Sequence, residues 1–162
     1  KSYVLIASMA RTPDLKTAPR GELRKLIEDR SFGDQTLDGE VERSIKIFKI
    51  LASPRSEIDE EKFEKEVIKN FNRSSNTEGF SRQLIAILAD KDRYDEVQRI
   101  TTPTLVIHGK LDPLIPYEEG KKTAELIPNS EFLGVDFMSH LIDKPVLDYI
   151  ETPMVKFLDK NS

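Results

Sequence analysis

Two loops of this chain hold residue types that acyl-transfer chemistry requires. In the first, Asp112 follows His108-Gly109-Lys110-Leu111 and precedes Pro113. In the second, His140 stands in Gly134-Val135-Asp136-Phe137-Met138-Ser139-His140-Leu141. A carboxylate that accepts a hydrogen bond from an imidazole fixes its tautomer and stabilises the imidazolium formed when the ring takes up a proton. A neutral imidazole can take the proton of a nucleophile and return it to a leaving group. Each residue also has a plainer reading. An aspartate before a proline suits a turn, and a loop histidine can be a surface or packing residue. The chain's other histidine, His108, ends an apolar run just before Gly109, and we read it as structural.

Other chemistries are poorly served. Without a single cysteine, disulfides, thiol nucleophiles and thiolate metal sites are excluded. There is no metal-ligand cluster, phosphate-cradling glycine loop or dinucleotide fingerprint, so no cofactor is expected. Lys plus Arg number 25 and Asp plus Glu 29, a net charge of −4 with no basic stripe, which argues against nucleic acid as a partner. No apolar run approaches the roughly 18 residues of a membrane span. The absence of cysteine fits a reducing compartment, and a cytoplasmic location is expected.

The elements that must position the two loops can be read from periodicity. Residues 2–8 and Thr104 to His108 are apolar on both faces, the pattern of strands buried in a parallel sheet. Glu131 to Val135 reads as a short third strand. Tyr117 to Ile127 reads as a helix entered at Pro116. Pro145 to Leu158 is helical in pattern, and Pro153 is expected to kink or split it, with Thr152 capping the second piece. Between the first two strands lie three helical stripes: Val41, Ile45, Phe48 and Leu51; Phe63, Val67, Ile68 and Phe71; and Phe80, Leu84, Ile87 and Leu88. Ser56-Glu57-Ile58-Asp59 approaches a capping box, and Pro54 and the run Asn72 to Asn76 punctuate the helices. A helical block of about 90 residues exceeds the dozen or so that a crossover needs. It must form its own layer, and a cap over the sheet's carboxyl edge, where ligands of α/β sheets sit, is the natural place.

Pro103-Thr104-Leu105-Val106-Ile107-His108-Gly109, then Asp112-Pro113-Leu114-Ile115-Pro116, a glycine-containing helix, Ile127-Pro128, a strand and a loop histidine together resemble the end of the α/β-hydrolase fold. Phe80 to Ala89, followed by Asp92-Arg93, looks like the end of the cap in methylesterase-like members. The resemblance covers nearly the whole chain and is strongest over residues 80–142. It implies an α/β fold, the C-terminal part of an α/β-hydrolase, with about three parallel strands, flanking helices and a helical cap. The implied division is a core strand over 1–9, the cap over 10–99 and a C-terminal core segment over 100–162.

By position, Asp112 resembles the family's triad acid and His140 its base. Two features depart from the pattern. The glycine usual before the histidine is Ser139, and the loop Asp136 to Lys144 is poor in glycine. The family nucleophile motif Gly-x-Ser-x-Gly is absent. The nearest string, Gly79-Phe80-Ser81-Arg82-Gln83, reads as helix. The chain opens almost directly into Tyr3-Val4-Leu5-Ile6, so we expect a trimmed chain whose nucleophile and oxyanion hole lie in a missing N-terminal half, although a processed native N-terminus has the same appearance.

The expected activity of the whole protein is hydrolysis of an ester or related acyl bond of a small molecule by a Ser-His-Asp triad, with this segment alone inactive. Carbon–carbon or epoxide hydrolysis and cofactor-free haloperoxidation use similar scaffolds, and a non-catalytic hydrolase-like binding module is the reading from another class. Leu114, Ile115, Phe137, Met138 and Leu141 are candidates for the substrate pocket. Phe32, Phe48, Phe63, Phe71 and Phe80 are either cap wall or helix–helix packing. A three-stranded piece leaves an unpaired edge, so association with the missing half, or with itself, is expected.

Overall fold

A computed structural model describes residues 1–13, 19–32, 36–73 and 77–162, the side chains of 30–32, 77 and 78 excepted. Phe32 and part of the run Asn72 to Asn76 therefore lie outside the described side chains and residues. Three strands, β1 (Tyr3–Ile6), β2 (Thr104–Gly109) and β3 (Ser130–Val135), form one sheet in the order β1-β2-β3. All pairings are parallel, with Leu5 and Phe132 both in register with Val106. Every residue of β2 is buried, as a central strand covered on both faces must be.

The two faces of the sheet have separate cores. Leu105 and Ile107 point with Val4, Ile6, Leu133 and Val135 toward α7 (Lys144–Lys160), which contributes Val146, Ile150 and Phe157. Val106 points with Leu5 and Phe132 toward α6 (Tyr117–Leu126), which contributes Ala124. This alternation places His108 on the α6 face and Gly109 on the α7 face.

The helical segment comprises α1 (Gly21–Phe32), α2 (Leu37–Leu51), α3 (Glu60–Arg73), α4 (Thr77–Ala89) and α5 (Tyr94–Val97). The three apolar stripes fall within α2, α3 and α4. α1 packs on α2 and α4, and α2 packs on α3, where the Phe48 and Phe63 rings stack at 4.2 Å. Ile87, assigned to the third stripe, is exposed with Ile85. Val97 and Ile100 pack on the sheet's α6 face, so the boundary drawn at residue 99 runs through a piece of the sheet layer. The outgoing and returning connections lie side by side. Arg93 N–H donates to Ala10 O at 2.7 Å, Thr12 N–H donates to Asp92 Oδ1 at 2.6 Å, and Ala10 N–H donates to Thr123 Oγ1 of α6 at 2.9 Å.

Two local expectations are corrected. α7 runs unbroken from Lys144 to Lys160 through Pro153, and Thr152 caps nothing. A proline removes one backbone donor, and core contacts on both sides of it, from Val146 and Ile150 and from Phe157, hold the helix together. The helix is capped instead by Asp143, whose side chain accepts from Val146 N–H. Ser56 does not cap α3 either. Asp59 Oδ1 accepts from Lys62 N–H at 3.0 Å, and the Ser56 hydroxyl is turned to Asp143.

Candidate active site

β2 delivers the chain to the carboxyl edge of the sheet, where Asp112 closes a tight turn. Its Oδ1 accepts from Leu114 N–H at 2.8 Å and Ile115 N–H at 2.9 Å. Its Oδ2 lies 2.8 Å from His140 Nδ1. The Asp112 side chain is wholly enclosed, whereas that of His140 keeps 22% of its surface. With Nδ1–H donated to the carboxylate, His140 Nε2 is left as the acceptor. Among the described residues nothing is hydrogen-bonded to that nitrogen.

Behind Asp112 stands His108, with no side-chain exposure and Nε2 3.5 Å from Asp112 Oδ2. The same nitrogen is 3.1 Å from Ile115 O. Both neighbours are acceptors, so Nε2 carries the proton, and the buried Nδ1 has no partner. Burial by itself would raise the Asp112 pKa. The hydrogen bonds from His108, His140 and Ile115 N–H outweigh it and hold the carboxyl well below the usual carboxylate range.

Two glycines allow this packing. A Cβ on Gly109 would lie 2.3 Å from the carbonyl oxygens of Met138 and Ser139, so only glycine lets the histidine loop cross the end of β2. A Cβ on Gly120 would lie 2.1 Å from His108 Nδ1. The two loops are also laced by Lys110 N–H to Val135 O at 3.0 Å and Leu111 N–H to Met138 O at 3.1 Å.

The structure thus brings Asp112 and His140 together. Of the five pocket candidates, Leu114, Ile115 and Leu141 are half-buried beside them. Met138 is fully buried and Phe137 nearly so, both in the core on the α7 face. In this chain their side chains pack with Val135, Val146 and Ile150. Phe48, Phe63, Phe71 and Phe80 are half-buried within the helical segment, and Ser81 lies inside α4. Among the described residues no group of three or more His, Asp or Glu side chains could hold a metal. Sequence reasoning missed Gly120, Ser53 and Asp143. Asp143-Lys144-Pro145 did carry a signal, a helix-capping aspartate followed by proline in the first turn.

No family model matches the chain. Similarity to characterised proteins is local. The chain is 38% identical over 56 residues to the pimeloyl-[acyl-carrier protein] methyl ester esterase of Vibrio cholerae, covering 35% of this chain and 22% of that one. It is 27% identical over 75 residues to a bifunctional esterase/perhydrolase of Acinetobacter calcoaceticus, covering 46% of this chain and 27% of the relative. Among solved structures, an esterase from Exiguobacterium antarcticum superposes with a TM-score of 0.69 at 20% identity over 96% of this chain. The meta-cleavage product hydrolase of Pseudomonas fluorescens does so with a TM-score of 0.74 at 17% identity over 99% of this chain. The chain spans about a quarter of the length of the curated relatives and 56% of each of these two solved chains. Three parallel strands with flanking helices, superposing throughout on such enzymes, make this chain a partial α/β-hydrolase fold.

Proposed function

We propose that Asp112 and His140 are the acid and base of a Ser-His-Asp hydrolase acting on an ester or related acyl bond of a small molecule, and that the serine lies in sequence preceding this chain. The observation that carries the reading is the 2.8 Å contact between His140 Nδ1 and the enclosed Asp112 carboxylate, with Nε2 left to accept a proton. The serine hydroxyl would give its proton to His140 Nε2 as its oxygen attacks the acyl carbon. The imidazolium, held by Asp112, would return that proton to the leaving alkoxide. Water would then repeat the cycle on the acyl-enzyme. No metal or cofactor is needed in this sequence. The helical segment would act as the cap, and the cysteine-free composition suits a cytoplasmic enzyme. The esterase names of two local relatives support the acyl class.

The test is turnover of short p-nitrophenyl esters by the full gene product. Wild-type hydrolysis, reduced roughly 10³-fold or more in His140→Ala with folding preserved, is expected. Absence of turnover, or turnover that survives the substitution, would reject the reading and favour a hydrolase-shaped binding module.

A further inference from the structure

We propose that the corner joining α2 to α3, Ile50 to Ser56, holds the base in place, with Ser53, Ser139 and Asp143 as its positioning residues. The catalytic meaning of this holding rests on the assignment of His140 as base. The contacts themselves do not.

The last carbonyls of a helix have no partner within it. Here the residue four beyond Ile50 is Pro54, which has no N–H to offer. The histidine loop supplies the donors. Leu51 O accepts both His140 N–H and Leu141 N–H at 3.0 Å each. Ile50 O accepts the Ser139 hydroxyl at 3.2 Å. Ser139 therefore has a function that glycine lacks, and its hydroxyl is buried in performing it.

The loop is also fastened at both ends. At its start, Ser53 Oγ donates to Phe137 O at 3.0 Å, and the Arg55 guanidinium lies 3.7 Å from the Phe137 ring centroid. At its end, Asp143 Oδ2 accepts Ser53 N–H at 2.7 Å and also the Ser56 hydroxyl. Asp143 Oδ1 meanwhile caps α7 through Val146 N–H at 3.3 Å. One carboxylate thus ties the helix corner, the histidine loop and the start of α7. The corner is stiffened from the other side by the Phe48–Phe63 stack and by the Lys49–Glu60 ion pair at 2.7 Å.

The His140 ring reaches Asp112 only while its backbone stays where Leu51 O holds it. Displacement of a reacting group by about 1 Å can cost up to 10²-fold in rate. The α2–α3 hairpin and the base consequently move as one body.

Two substitutions test this. Ser139→Ala removes one hydroxyl. Asp143→Asn keeps a good helix cap, but its amide cannot accept from Val146 and from Ser53 and Ser56 together. In the full gene product, proton NMR of the His140 and His108 imidazoles reads the outcome. Both variants should lose or broaden the Nδ1–H resonance of His140 while leaving the His108 signals intact. In the full gene product, kcat should fall on the order of 10- to 100-fold with KM unchanged. Retention of the His140 resonance in both variants would overturn the proposal, even if His140→Ala proves the base essential. Loss of the resonance in the variants, with turnover indifferent to His140→Ala, would leave the holding intact and reject the catalytic reading instead. If Asp143→Asn also loses the His108 signals, Ser139→Ala decides alone.

Discussion

Asp112 divides its two carboxylate oxygens between two tasks. Oδ1 closes the turn through Leu114 and Ile115 N–H, and Oδ2 faces His140 and His108. The turn and the carboxylate–imidazole pairing on which the proposed acid role depends are therefore linked, since the turn fixes the oxygen that the imidazole meets. The pairing has a consequence for stability. An aspartate carboxyl in the unfolded chain titrates near about 3.9, and that of folded Asp112 titrates well below this. The unfolded state takes up the proton first, so the stabilisation is complete above about pH 4 and is lost as pH falls toward the folded pKa. Asp112→Asn should cost about 1–3 kcal/mol at pH 7. The gap between the two proteins in urea unfolding should narrow between about pH 4 and pH 2. A gap that stays constant down to pH 2 would show that the charge contributes nothing to the fold.

Among the elements, α6 meets the end of β2 at close quarters. Gly120 lies against the His108 ring, which has no room to turn because it is wholly buried. In an open helix, glycine to alanine is a gain of roughly 1 kcal/mol. At this position Gly120→Ala should instead destabilise by about 1–3 kcal/mol through overpacking. In a His108→Ala background the ring is gone and only the 2.9 Å approach to the Cβ of residue 108 remains, so the same change should cost less. Thermal melts of the four proteins in this cycle measure the coupling. Additive effects would mean that the helix simply shifts to accommodate the methyl. This scale also shows what was legible in the sequence. The buried strands and the helical stripes follow from local periodicity, whereas Asp112 and His140, each with a plainer reading by type and position, are singled out by the resemblance. The Gly120–His108 contact, the Ser53–Asp143 bond and the unbroken passage of α7 through Pro153 are set by residues distant in sequence. No local pattern carries them. Ser139 shows the difference most clearly. In the sequence it is only a departure from glycine, and its reason becomes visible when Ile50 O is brought beside it.

At the scale of the molecule, the sheet has two dissimilar outer edges. On β3, Glu131 is exposed and paired with Lys160 at 2.7 Å, a charged border of the kind that discourages strand addition. β1, from Tyr3 to Ile6, carries no charge, and Tyr3 is 53% exposed. Nearby, α7 presents Leu147, Tyr149, Val155 and Leu158 outward in addition to the face it buries on the sheet. An uncharged strand edge beside apolar surface of this kind is open to pairing with another strand. We expect this chain to associate through β1, either with the remainder of a hydrolase sheet or, in isolation, with itself. Sedimentation of the isolated chain should show concentration-dependent self-association. Tyr3→Lys, which places a charge on the edge without touching Asp112 or His140, should shift the equilibrium toward monomer. A wild-type chain that is monomeric at all concentrations would show that the edge is already protected. Association unaffected by Tyr3→Lys would move the interface from the strand edge to the outer face of α7.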